Sequence, residues 1–172
     1  VVCAAGPRTD QFTQRIQSNS KARLRPTKGV HIVLPGKRLP IDHAILMRHP
    51  DDGRGMFLLP YHERTVVGTT DTHFKEDPLE VRAKLDDVEY LLKAANYYYP
   101  DAGLTPEDVI SAWAGIRPLL NPGNDANPSA VSREHQIEVI KDSMVVIFGG
   151  KLTTYRKMSA ECVDVIARVI QN

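Results

Sequence analysis

Cysteine is scarce in this chain. Two occur among 172 residues, Cys3 and Cys162, far apart and with no CxxC pair. That excludes a disulfide framework and a zinc ribbon, and makes a reducing compartment the expected setting. Long apolar runs are missing as well: AILM at 44–47 and MVVIF at 144–148 are far too short to cross a bilayer. GxxxxGK[ST] is absent, and the six histidines show no HxxxH or HExxH spacing, so neither a P-loop nor a metal site is expected. With 11 glycines, 12 prolines, 42% hydrophobic and 25% charged residues, the chain is neither collagenous nor disordered, and it is long enough for a sizeable core.

Charge is nearly balanced overall, at +1, but unevenly placed. Residues 1–40 carry eight basic side chains (Arg8, Arg15, Lys21, Arg23, Arg25, Lys28, Lys37, Arg38) against the single acid Asp10, and the remainder is net negative. Such a segment suits nucleic acid, an anionic membrane surface, an acidic small substrate or simply a solvated face. Nucleic acid is the weakest of these, because only one aromatic, Phe12, is available there for base stacking.

The opening VVCAAGP reads as the end of a buried strand entering a turn, and the chain reads as a piece of a larger protein. Between 29 and 69 short β-rich runs (VHIVL, HAILM, MFLLP, TVVGTT) alternate with turn signals and predict an antiparallel meander. A helix is predicted over 77–100, with Asp77 as N-cap, Pro78 at its first position, Glu80 completing a capping box and Pro100 as its stop. Its stripe of Val81, Leu85, Val88, Leu92, Ala95 and Tyr99 serves packing. VISAWAGIR at 109–117 reads as a strand with Trp113, Gly115 and Arg117 on one face. After a Pro-, Gly- and Asn-rich loop at 121–128, IEVI and MVVIF form a hairpin across 141–143. A helix then runs from Lys151 to the C-terminus, burying Leu152, Tyr155, Ser159, Cys162, Ile166 and Val169 or Ile170. The fold class is α+β on an antiparallel or mixed sheet.

The strongest chemical signal is a strand, then Gly149-Gly150, then a helix opening with Lys151, Leu152, Thr153 and Thr154. Paired glycines admit close backbone approach and a helix start favours anions, so this is a phosphate or cofactor cradle, or else a tight strand-to-helix turn. His31 points away from Val30 and Ile32 and can face a cleft as a proton acceptor, or be a satisfied structural histidine. Gly68-Thr69-Thr70-Asp71 suits ligand hydrogen bonds or a turn start. Arg117, beside Pro118 and small neighbours, suits a clamp on phosphate or carboxylate, or a structural ion pair.

KGVHIVLP, GTTD, DVISAWAGIRPLL, SREH and FGGKLTTYR, in this order, resemble the FAD-dependent glycerol-3-phosphate dehydrogenases from about Val1 to Arg168. One position departs: Arg8 follows Gly6-Pro7 where the family often has Trp. The resemblance implies a D-amino-acid-oxidase-like flavoprotein, with residues 1–24 ending one part of the FAD region, 25–140 forming a substrate cap and 141–172 returning to the flavin. GxGxxG is absent, so the pyrophosphate site of the Rossmann half is not in this sequence and the fragment alone is expected to be inactive. The implied reaction is oxidation of sn-glycerol 3-phosphate to dihydroxyacetone phosphate, with hydride passing to FAD and electrons to quinone. His31, Arg117 and Lys151 are the implied catalytic residues. Lys28, His31, Thr70, Arg117 and Lys151 are the implied substrate contacts, and Ala5, Gly6, Gly149, Gly150, Lys151, Leu152, Thr153 and Thr154 the implied cofactor contacts. A cytoplasmic enzyme, peripheral on an anionic inner-membrane surface and compatible with a homodimer, follows from the same resemblance. A non-catalytic ligand-binding cap, or an amine or amino-acid oxidase of the same superfamily, are the alternatives.

Overall fold

The computed structural model describes residues 1–121 and 134–171. In chain order they form β1 (Val2–Cys3), α1 (Thr9–Ile16), β2 (Leu24–Pro35), β3 (Ile45–Arg48), β4 (Gly55–Tyr61), β5 (Arg64–Gly68), β6 (Thr72–His73), α2 (Leu85–Tyr98), β7 (Ser111–Leu120), β8 (His135–Ile140), β9 (Met144–Gly149) and α3 (Tyr155–Gln171). Two compact units result, one of Val1–Thr27, His73–Pro78 and Ile116–Asn172, the other of Lys28–Thr72 and Leu79–Gly115. The Pro-, Gly- and Asn-rich loop from residue 122 onward, and the Ser-Arg of SREH, lie outside the described residues.

In the first unit the strand order is β1-β9-β8. β1 runs parallel to β9 with Val2 opposite Val145, and β8 runs antiparallel to β9 with Ile140 opposite Met144, so the sheet is mixed. The hairpin turn is made possible by left-handed Lys141 (φ 49°) and Asp142 (φ 56°). Cys3, Leu24, Ile140, Met144, Val146 and Phe148 form the core, with Ile16 and Leu120 packed on it. α1 had no clear sequence signal; Asp10 at its start accepts the N–H groups of Arg23 (2.9 Å) and Leu24 (2.8 Å) and so ties the helix to β2. β8, which the boundary at 140 assigns to the cap, is paired with β9 along its whole length.

The C-terminal helix differs from expectation. Leu152–Thr154 make a single 3-10 turn, and the α-helix opens at Tyr155. Of the expected buried stripe only Cys162 is buried; Leu152 is 88% exposed and Ile170 78%. A helical period identifies one apolar stripe but not whether the described residues supply a surface to cover it. His135 Nε2 lies 2.7 Å from Glu161 Oε2, fastening β8 to α3, and this contact holds the Glu161 carboxyl below its ordinary range.

In the second unit β3, β4 and β5 are consecutive antiparallel strands, as expected of a meander. β2 does not continue it at β3. It pairs antiparallel with β5, with His31 opposite Gly68 and Pro35 opposite Arg64, giving the order β3-β4-β5-β2-β6 with β7 alongside β2. The segment after β2 therefore carries the chain to the far edge of the sheet. Even-numbered positions of β2 face the core, where Val30, Ile32 and Leu34 meet Met47, Met56, Leu58 and Val67 under Leu91, Leu92, Ala94 and Ala95 of α2.

α2 begins at Leu85 rather than at 77. Pro78–Glu80 close one 3-10 turn, the chain then extends to Lys84, and Asp87 supplies the cap by accepting the Lys84 N–H at 2.8 Å. Asp87 wins over the Asp77-to-Glu80 signal because its carboxylate is also fixed by Lys28, 2.6 Å away.

Candidate functional site

In the first unit the parallel pairing of β1 and β9 decides what meets. With Cys3 opposite Val146, both strands end on the same side of the sheet, which brings the Ala5-Gly6 turn and the Gly149-Gly150 turn to one sheet end. Ligands of α/β folds bind beyond the carboxyl ends of parallel strands. All three glycines are left-handed, Gly6 at φ 56°, Gly149 at φ 70° and Gly150 at φ 88°. A Cβ on Gly6 would meet nothing within 4 Å, whereas one on Gly149 would lie 2.5 Å from the Glu134 carbonyl. The Gly150 N–H donates to that same carbonyl at 2.9 Å, so the start of β8 holds the turn. Lys151 follows with an exposed side chain, and its N–H donates to Thr154 Oγ1 at 3.3 Å while that hydroxyl donates back to the Lys151 carbonyl at 3.1 Å. The dipole invoked for Lys151 is thus that of a 3-10 turn leading into α3. Arg117 lies on the part of β7 that belongs to this unit, half-buried and engaged.

In the second unit His31 sits on the sheet face opposite the core. It lines a groove of about 770 Å³ with Val33, Leu59, Tyr61, Arg64 and Trp113. Its ring is stacked on Trp113, with centroids 5.0 Å apart and planes 11° from parallel. Phe57, Leu59, Tyr61 and Trp113 are exposed on this unit, a large aromatic and aliphatic showing for a small unit.

Two expected substrate contacts are not on this face. Lys28 shares the parity of Val30, Ile32 and Leu34, and its ammonium is buried against Asp87. Thr70 is buried too; its Oγ1 accepts the Val30 N–H at 2.9 Å, so it fastens the end of β5 to β2. Thr70, with Asp52, Arg54, Asp71, Tyr90 and the Asp87 that holds Lys28, helps to line a smaller cavity of about 180 Å³. There Arg54 pairs with buried Asp71 at 2.8 Å, an ion pair that sequence reading missed. Tyr90 donates to Asp52 at 2.9 Å, and burial together with that carboxylate pushes its phenol up to about 12.

The basic N-terminal segment is partly neutralised from the rest of the chain. Arg23 pairs with Glu138, Lys28 with Asp87 and Arg38 with Asp108. Charges segregated along the sequence are thereby combined within each unit. Among the described residues no helix is long and apolar enough to cross a membrane.

A family model described as FAD dependent oxidoreductase matches residues 1–151, and the chain belongs to that family. Within it, the chain is similar to glycerol-3-phosphate dehydrogenases. The chain is 40% identical over 169 residues to the aerobic glycerol-3-phosphate dehydrogenase of Staphylococcus haemolyticus, covering 98% of this chain and 30% of that protein. It is 39% identical to the protein of the same name from Bacillus subtilis, over 96% of this chain and 30% of the relative. The chain therefore spans about 30% of the length of the curated relatives it matches. Among solved structures, the glycerol-3-phosphate dehydrogenase from Bacillus halodurans complexed with FAD superposes with a TM-score of 0.84 at 38% identity, over 99% of this chain and 32% of that one. The L-alpha-glycerophosphate oxidase from Mycoplasma pneumoniae with FAD bound gives a TM-score of 0.65 at 18% identity, covering 99% of this chain and 42% of that one, which shows the fold alone. The α+β architecture with antiparallel and mixed sheets is that of this flavoprotein family.

Proposed function

We propose that this chain is the cap and the closing FAD-region segment of an enzyme that oxidises sn-glycerol 3-phosphate to dihydroxyacetone phosphate. The observation that carries the reading is the convergence of Ala5-Gly6 and Gly149-Gly150 at the carboxyl ends of two parallel strands. These residues fit a flat cofactor edge: side chains are small or missing there, and the space a Cβ of Gly6 would enter is open. Ala5, Gly6, Gly149, Gly150, Lys151, Leu152, Thr153 and Thr154 would hold FAD, which when bound supplies the hydride acceptor.

The chain's own residues do the rest. His31 accepts the proton of the substrate C2 hydroxyl, or holds that hydroxyl, from the open face of β2. Arg117 clamps the anionic end of the substrate, and the exposed ammonium of Lys151 adds positive charge at the glycine turn. Val33, Leu59, Tyr61, Val66 and Trp113 give the His31 groove an apolar wall for the carbon skeleton of the substrate. Lys28 and Thr70 support this face from behind rather than touch substrate. In this reading the cap is the second unit, Lys28–Thr72 and Leu79–Gly115, within the expected 25–140, and the first unit, which also takes in β8 and the end of β7, belongs to the FAD region. Electrons leave to quinone, and Arg8, Arg15 and Lys21 of the first unit, all exposed, are the cations offered to an anionic lipid surface by a peripheral cytoplasmic enzyme, monomeric or dimeric.

Arg117→Ala in the complete protein tests the assignment. A clamp lost from the transition state lowers kcat/KM for sn-glycerol 3-phosphate by about 10²-fold or more. Near-normal kinetics would remove Arg117 from the site.

A further inference from the structure

Two residues of the quoted motifs have no part in the reaction as proposed: Gly68, which opens Gly-Thr-Thr-Asp, and Trp113, the chain's single tryptophan. Both touch His31. Gly68 lies directly opposite His31 in the ladder between β2 and β5. A Cβ on Gly68 would overlap Cδ2 of the imidazole and lie 2.7 Å from Nε2 and 2.8 Å from Cγ. The ring therefore occupies the space that a side chain at 68 would fill. Trp113 on β7 stacks its indole on the same ring, 5.0 Å between centroids and 11° from parallel.

A histidine side chain has two torsions, and χ2 is broad and two-fold, so an unconstrained imidazole exchanges a ring nitrogen for a carbon on rotation. Contact with the Gly68 backbone on one flank and an indole plane on the other restricts both torsions at once. The floor itself is fixed, because Thr70 accepts the Val30 N–H at 2.9 Å and its own N–H reaches the Val30 carbonyl at 3.4 Å, next to His31 on β2.

We infer that Gly68 and Trp113 are positioning residues that hold the imidazole of His31 in one orientation toward the groove. The inference rests on the reading of His31 as the group that meets the substrate hydroxyl. It gives the glycine of Gly-Thr-Thr-Asp and the tryptophan of Ala-Trp-Ala-Gly a shared purpose: the first leaves room for the ring, the second braces it. Misplacing a reacting group by about 1 Å can cost about 10²-fold in rate, and losing one of two braces costs less.

The test uses the complete FAD-loaded protein with Trp113→Leu, Trp113→Phe and Gly68→Ala, each also made with His31→Ala. Trp113→Leu lowers kcat about tenfold or more with little change in KM, and Trp113→Phe, which keeps a ring, restores most of it. In the His31→Ala background Trp113→Leu costs nothing further. Independently of turnover, the His31 ring-proton resonances move in Trp113→Leu, as indole ring-current shielding is lost, and return toward the wild-type position in Trp113→Phe. Gly68→Ala behaves like Trp113→Leu where it folds; Trp113→Leu decides the matter where it does not. An unchanged kcat in Trp113→Leu, or an equal loss with and without His31, overturns the inference and leaves the role of His31 standing. Normal turnover of His31→Ala alone removes His31 from the reaction, and the positioning role with it.

Discussion

The ammonium of Lys28 lies 2.6 Å from the carboxylate of Asp87, with both side chains less than a tenth exposed. The same Asp87 carboxylate caps α2 through the Lys84 N–H. One carboxylate thus joins the sheet to the helix start and occupies the cation. Removing one partner of a buried pair leaves the other charge uncompensated, at a cost of about 3–5 kcal/mol. Lys28→Ala is accordingly expected to lower stability by about that amount in urea unfolding, and Lys28→Met by less. A variant of unchanged stability with a raised KM would instead return Lys28 to the substrate site.

Gly150 has φ 88°, a conformation costly for any L side chain, and its Cβ would overlap the tip of Met158. The Met158 tip can swing aside, so the backbone cost dominates. Gly150→Ala is expected to destabilise by about 1–3 kcal/mol and to weaken FAD retention by the complete protein. Met158→Ala added to it restores little. Full rescue by the second change would show that crowding, not backbone conformation, is what requires glycine.

Much of the fold was legible where periodicity is local. The strands VHIVL, HAILM and MFLLP, the hairpin across 141–143 and the placement of His31 opposite Val30 and Ile32 all follow from a period of two. Partners distant in sequence were not legible. Nothing near Lys84 signals that its neighbour Asp87 is fixed by a lysine 59 residues away, so the Asp77-to-Glu80 capping pattern was the better local candidate. Strand parity could have warned that Lys28, in phase with Val30 and Ile32, faces the core. No sequence rule places β2 beside β5 rather than β3, because that choice depends on where the segment after Pro35 crosses the sheet.

Arg38 grips Asp108 with Nε at 2.6 Å and Nη2 at 3.0 Å, and this hydrogen bonding holds the Asp108 carboxyl down at about 2, from an ordinary 3.8. A folded-state value below the unfolded one adds stability that is complete above the unfolded value and disappears as pH falls through the folded one. Asp108→Asn should therefore melt below the wild type at neutral pH, with the gap closing between about pH 4 and 2. A gap that persists at pH 2 would show that the pair contributes through shape and not through charge.

The absence of GxGxxG from the sequence sets the expectation for this chain by itself. Incubated with FAD and desalted, it is expected to emerge colourless, because one glycine-lined edge does not replace a pyrophosphate site. Retained flavin absorbance would mean that the Gly149-to-Thr154 side suffices.

The central claim is tested most directly by adding sn-glycerol 3-phosphate to the complete, FAD-loaded protein without oxygen and following the flavin absorbance. Bleaching of the oxidised flavin, with dihydroxyacetone phosphate formed in equal amount, is the expected result. A flavin left oxidised by sn-glycerol 3-phosphate but bleached by an amine or amino acid would contradict it.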